Sequence, residues 1–195
     1  MHEKLIHPMK LHQMNRSILT PCGAIVIREA SLADAIQFRE LRLEALQDTP
    51  TAFPADYLTN ASQPPSYWQD RLKEEEGAII FFAEHEHRLI GMMGIARGRS
   101  PKTKHSADIW GVYIRPEWRG LHIAEALIET CIEWAKSRDV NIIKLGVITA
   151  STSAVRCYQR CGFTIYGTEP RGIFYNGQYY DGYLMYRDLN PTEEK

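Results

Sequence analysis

Along the 195 residues the apolar positions change period in a regular way. Residues 24–28 are β-branched and compact, a short strand, and the apolar spacing then stretches into a helix running to Gln47. Ser31, with Asp34 three residues later, has the form of a capping box that starts this helix, and Asp48-Thr49-Pro50 ends it. Residues 51–65, carrying Phe53, Pro54 and Tyr57, read as a loop, followed by a short helix over 66–76 that opens near Pro65. Two strands, 78–84 and 89–96, flank the polar turn His85-Glu86-His87-Arg88, and 98–104 is a basic connection. Ile109, Val112 and Ile114 form another strand that Pro116 stops, because proline cannot donate to a ladder.

After the turn at Arg119-Gly120, the residues Ala124, Leu127, Ile128, Cys131, Ile132 and Ala135 recur at alternating steps of three and one, which predicts an amphipathic helix with one buried stripe. A strand at 142–148, a helix at 153–160 and a strand at 163–166 follow. Asn176-Gly177 is a two-residue hairpin signal between 173–175 and a last strand at 179–187. The expected order is β-α-α-β-β-β-α-β-α-β-β. Residues 1–23 show no period and are expected to be a flexible extension before a domain at 24–190.

Composition changes this picture little. A net charge of -1 and a pI near 6.7 give no broad attraction for nucleic acid or an anionic membrane. No apolar run reaches the length of a membrane span, and the first residues lack the apolar core of a signal peptide. Cys22, Cys131, Cys157 and Cys161 have no C-x-x-C spacing, so reduced thiols and a cytoplasmic location are expected. His85 and His87 flank Glu86 without a matching third ligand, so no metal is expected.

The chemistry concentrates in the strand, basic turn and helix of 112–135. A helix that begins just after a glycine-bearing turn offers unpaired N–H groups and the positive end of its dipole to a phosphate, and Arg119 adds a charge-assisted donor. Neither G-x-x-x-x-G-K-[ST] nor G-x-G-x-x-G is present. The run Arg119-Gly120-Leu121-His122-Ile123-Ala124 instead resembles the acyl-CoA pyrophosphate loop R/Q-x-x-G-x-G/A of the GNAT N-acetyltransferase superfamily, with His122 in place of its central Gly. Downstream, Ala154, Tyr158, Gly162 and Phe163 stand at that superfamily's spacing, with Ser151 where Asn is usual.

The resemblance covers about 25–189 and implies an α/β (α+β) fold: a central mixed, mostly antiparallel sheet flanked by helices. It implies acetyl-CoA as cosubstrate and direct attack by a primary amine of a small molecule, without a covalent enzyme intermediate. Cofactor contacts carry over to the backbone of Val112, Tyr113 and Ile114 and of Gly120, Leu121, His122, Ile123, Ala124 and Glu125, with Arg119 beside them, and to Ser151 and Tyr158. A non-Gly residue suits position 122 if its φ and ψ are helical, with the ring pointing to solvent or donating to phosphate.

Two proton transfers define the catalytic candidates. An amine of pKa ~10.4 is deprotonated in only about one molecule in ~2,500 at pH 7, a deficit of roughly 4.6 kcal/mol. One branch of the family places a carboxylate base four residues before the first backbone contact, where this chain has Asp108; the position of the other branch's Glu, twelve residues before Tyr158, is Gly146. The leaving thiolate can take its proton from Tyr158, at the family's general-acid position, since tyrosine stays protonated at neutral pH. By analogy the acceptor meets the loop at Phe53 and Tyr57 and the late hairpin at Tyr175, Tyr179, Tyr180 and Asp181, a set suited to a small cationic amine. The rival readings are a protein N-terminal or lysine acetyltransferase and a non-catalytic acyl-CoA-binding module. A homodimer is an expectation from analogy alone.

Overall fold

The computed structural model describes residues 15–73 and 77–190. Eight strands form one sheet: β1 (Arg16–Thr20), β2 (Gly23–Glu29), β3 (Ala78–His85), β4 (Arg88–Arg97), β5 (Ser106–Ile114), β6 (Ile142–Ile148), β7 (Thr164–Tyr175) and β8 (Gln178–Asp188). Their spatial order is β1-β2-β3-β4-β5-β6-β8-β7. Neighbours run antiparallel except β5 and β6, which are parallel. The helices are α1 (Ala35–Asp48), α2 (Tyr57–Ala61), α3 (Pro65–Asp70), α4 (Ile123–Lys136) and α5 (Thr152–Arg160).

Each face of the sheet carries its own apolar layer. Successive side chains of a strand point to opposite faces, so Phe81 joins the layer under α4 and α5 while Phe82 joins the one under α1 and α3. Covered on both sides, β3 and β4 read as nearly continuous apolar runs. The stripe expected on α4 is buried: Leu127, Ile128, Cys131, Ile132 and Ala135 are at most 2% exposed. On the opposite face Phe38 of α1 sits edge-on to Trp68 of α3, centroids 5.6 Å apart. The capping box also forms, with the Ser31 N–H donating to the Asp34 carboxylate at 2.7 Å ahead of α1.

The structure departs from the expected elements in four places. The sheet begins earlier than residue 24, because Arg16–Thr20 pairs with β2 across a turn at Pro21-Cys22; the rest of the expected extension, 1–14, lies outside the described residues. The loop at 51–65 contains one helical turn, α2, whose start is capped by the Asp56 carboxylate accepting from the Thr59 N–H at 2.8 Å. The helix expected over 66–76 is α3, ending at Asp70, with 74–76 outside the described residues. Finally, the strands expected at 163–166 and 173–175 are one strand, β7, carried past register shifts near Tyr166 and between Glu169 and Ile173. The Asn176-Gly177 hairpin turn has φ of 48° and 77°, the positive pair a two-residue turn requires.

Candidate active site between two parting strands

Strands β5 and β6 stay together only where Ser106–Asp108 meets Ile142–Lys144. What drives them apart is local to β5. Its ladder with β4 jumps from Gly94 opposite Trp110 to Met92 opposite Tyr113, so two residues, Gly111 and Val112, face one. Gly111 takes a φ of 65°, open to glycine without strain, and a bulge of this kind bends its strand. β6 meanwhile remains paired with β8 along its whole length. The result is a wedge-shaped cleft of about 780 Å³ with a backbone edge on each wall.

The N-terminus of α4 closes one end of the wedge. The first bond within the helix runs from the Ala126 N–H to the His122 carbonyl at 3.1 Å, so the N–H groups of Ile123, Ala124 and Glu125 have no acceptor in the helix. Gly120 has φ of 79° and nothing near the place a Cβ would occupy, which leaves its backbone open to a close-approaching group. His122 differs from expectation. Its backbone is left-handed, φ 58° and ψ 21°, rather than helical, a conformation that histidine tolerates better than most non-glycine residues. Its ring is exposed and its Nδ1 lies 3.1 Å from the Glu125 carboxylate.

Charges around this end are partly spoken for. Arg119 donates from Nε to the Ile114 carbonyl at 3.0 Å and pairs with Asp48 at the end of α1. Arg160 of α5 donates to the Glu125 carboxylate at 2.6 Å. Partial burial favours the neutral form of Glu125, but the Arg160 bond, a backbone N–H and His122 outweigh it and hold the acid below the usual carboxylate range.

At the narrow part of the wedge stands Tyr158, 6% exposed and edge-on to Phe163. Burial raises its pKa above the ordinary tyrosine value, and the neighbouring Cys157 and Cys161 add to the shift. It therefore holds its proton throughout the neutral range. Cys157 also lines the cleft; its contact with Cys161 and its burial push its thiol up, so it offers no thiolate nucleophile. On the α1 side the Tyr113 hydroxyl donates to Glu44 at 3.3 Å, and Glu44 is itself held by Arg115 at 2.7 Å.

The wedge brings together Val112, Tyr113, Ile114, Arg119, Gly120, His122, Ile123, Ala124, Glu125, Ser151 and Tyr158. The Leu121 side chain packs against the core, so only its backbone is left for the expected contact. Asp108 is exposed on the stretch of β5 still paired with β6 and is not among the residues lining the cleft, which on this strand begin at the next position, Ile109. Of the expected acceptor residues Phe53 lines the cleft, whereas Tyr175 and Tyr179 are exposed on the β7–β8 hairpin and the Asp181 carboxylate accepts from the Arg171 N–H at 2.8 Å. Sequence reasoning missed Trp110 and Gly111, although the glycine two residues after an apolar strand position is the visible trace of a bulge. It also missed Arg156 and Arg160, whose spacing of four on α5 marks one basic face.

The comparisons agree with this geometry. The L-amino acid N-acetyltransferase AaaT of Escherichia coli K12 is 30% identical over 170 residues, covering 84% of this chain and 97% of that protein. The L-methionine sulfoximine/L-methionine sulfone acetyltransferase of Pseudomonas paraeruginosa is 20% identical over 166 residues, 85% of this chain and 95% of that one. Among solved structures, a GNAT-family acetyltransferase from Streptococcus pneumoniae superposes with a TM-score of 0.76 at 24% identity, covering 85% of this chain and 99% of the other. A putative acetyltransferase from Salmonella typhimurium, solved with its cofactor acetyl-CoA, gives 0.75 at 18% identity over 88% and 97%. The profile of the acetyltransferase (GNAT) family matches residues 40–163, which contain the bulged strand, the basic turn, α4 and Tyr158. This chain belongs to that family.

Proposed function

We propose that the protein transfers the acetyl group of acetyl-CoA to the primary amine of a small molecule by direct attack. The observation that carries the reading is the wedge itself: two unladdered backbone edges leading to the free N–H groups of α4. An extended pantetheine arm can pair with such an edge as an added strand does, and its pyrophosphate then reaches the helix terminus, Gly120 and Arg119. The acetyl-CoA named as cofactor of the Salmonella structure and the amino-acid acceptors named for two relatives support the same chemistry.

Cys157, held as a thiol, favours attack by the amine itself over an acyl-enzyme. Tyr158 donates a hydrogen bond to the sulfur as it departs; with a raised pKa it steadies the thiolate, and solvent completes the protonation. The carboxylates on this side are engaged, Glu44 by Arg115, Asp48 by Arg119 and Glu125 by Arg160, so the proton of the amine is passed to water in the cleft. The deciding experiment is CoA thiol release from acetyl-CoA across amino acids, polyamines, aminoglycosides and short peptides. Release with a small amine supports the reading. Turnover confined to peptides, or stabilisation by acetyl-CoA with no release for any acceptor, overturns it.

A further inference from the structure

Beside the wedge, under α1, lies a second recess lined by Phe38, Arg42, Arg71, Met92, Trp110 and Gly111. It shares Trp110 and Gly111 with the cleft, and the Arg42 guanidinium stacks 4.4 Å from the ring of Phe53, which also faces the cleft. The recess thus adjoins the cleft at the bulge. Arg42 Nη1 is buried there with no hydrogen-bond partner. Arg71 lies with its guanidinium 5.5 Å from the Trp110 ring, and its one side-chain hydrogen bond goes to the Tyr67 hydroxyl at 3.2 Å.

Two other partly buried arginines are met by carboxylates. Arg28 has Asp34 and Glu84, and Arg115 has Glu44. Among the described residues neither Arg42 nor Arg71 is paired with one. Burial brings the Arg42 pKa down to about 10, and the like charge of Arg71 presses it the same way, yet the group is still a cation at neutral pH. Two guanidinium groups converging without a counter-ion are unfavourable until an anion joins them. An arginine fork matches a carboxylate in both charge and shape. Trp110 gives the recess a fixed wall: its indole lies across Gly94, where even a Cβ would come within 2.3 Å of the ring. The recess has no room for a ligand while Arg71 lies over that indole, and Arg71, exposed at the C-terminal cap of α3, is the side chain able to turn aside.

We propose that the amine acceptor carries a carboxylate next to its amine, as an α-amino acid does, and that Arg42 and Arg71 bind that carboxylate while the amine faces the open edge of β5 beyond Gly111. The inference builds on the transferase reading above and replaces the cationic amine expected from the late-hairpin residues. Phe53 and Trp110 leave the side-chain direction apolar.

The test compares an α-amino acid with its amide and its decarboxylated amine, all with the same apolar side chain, by thiol release. The expected result is a kcat/KM about 10–100-fold higher for the acid, the size of a charge-assisted pair. Arg42→Met removes that preference, bringing the acid's value down to those of the amide and the amine, and Arg71→Met, at an exposed position that folding tolerates, reduces it in the same sense. Equal or better turnover of the decarboxylated amine overturns the inference while leaving the transferase reading intact. So does wild-type preference in both variants. If no amine is turned over, the transferase reading fails, and the carboxylate site is decided by binding: the CoA complex should gain thermal stability from the N-acetyl amino acid and not from its amide, and an equal gain from both sinks it.

Discussion

Arg28 shows how much one residue can be asked to hold. Its guanidinium makes two bonds to the buried Asp34, at 2.7 and 2.8 Å, and a third to Glu84 at 2.7 Å. Burial alone would raise the Asp34 pKa, but Arg28 and the capping bonds from Ser31 overcome it and lower it. The unfolded chain titrates near ~3.9. Stability from Asp34 is therefore complete above that value and lost as pH falls through the lower folded pKa. Asp34→Asn should cost about 2–3 kcal/mol at neutral pH and flatten the loss of stability below about pH 4, read by urea unfolding across pH. The Ser31-Asp34 box was legible in the sequence because it is local, while the Arg28 partnership was not, because strand register sets it.

At the same scale, Tyr158→Phe should leave acetyl-CoA affinity within about twofold and lower kcat by about 10²-fold, the usual contribution of one hydrogen-bond donor aimed at developing negative charge. Unchanged kcat would remove the hydroxyl from the mechanism. Asp108→Asn should leave the pH profile of kcat/KM where it is, since the carboxylate sits outside the cleft; a displaced profile would return it to the list of bases. The place of Tyr158 in the cleft was legible from spacing alone. For Asp108 the same spacing says nothing of where β5 parts from β6, and so nothing of its place outside the cleft lining.

Among the elements, β5 controls the site. Without the bulge at Gly111 and Val112 its edge would continue to pair with β6 and no cleft would open. Gly111→Ala puts a Cβ on a left-handed residue, with open space around it, so the cost is conformational and about 1–2 kcal/mol. That strain is relieved if the bulge flattens. The variant should therefore lose acetyl-CoA affinity, by roughly tenfold, out of proportion to its loss of stability. Calorimetric titration beside thermal melting separates the two; equal losses would show the bulge to be a structural detail only. Elements that bury a face, such as α4, could be read from the sequence, and β1 and α2 could not. β1 has two half-buried positions and three exposed ones and is defined by its ladder with β2, while α2 depends on one Asp56 cap. Arg42 lies on α1 and Arg71 just past the end of α3, and only the packing of α1 against α3 makes them a pair.

The whole molecule is two blocks of sheet, β1 to β5 and β6 to β8, joined in the sheet by one three-residue parallel ladder. A ligand seated in the wedge touches both blocks and the start of α4, so its binding should register as global stability as well as local order. At a concentration of 100 times its Kd, acetyl-CoA should add about 2.7 kcal/mol and raise Tm by roughly 5–10 °C for a chain of this size. Acetylpantetheine, which lacks the pyrophosphate, should fill the edges and leave the α4 terminus empty. Hydrogen exchange separates these contributions: acetyl-CoA should slow the amides of 109–114 and of 120–125 together, and acetylpantetheine the first group only. Protection of 120–125 by both ligands would mean that these amides are ordered by closure of the wedge rather than by phosphate, and α4 would lose its assigned part in binding.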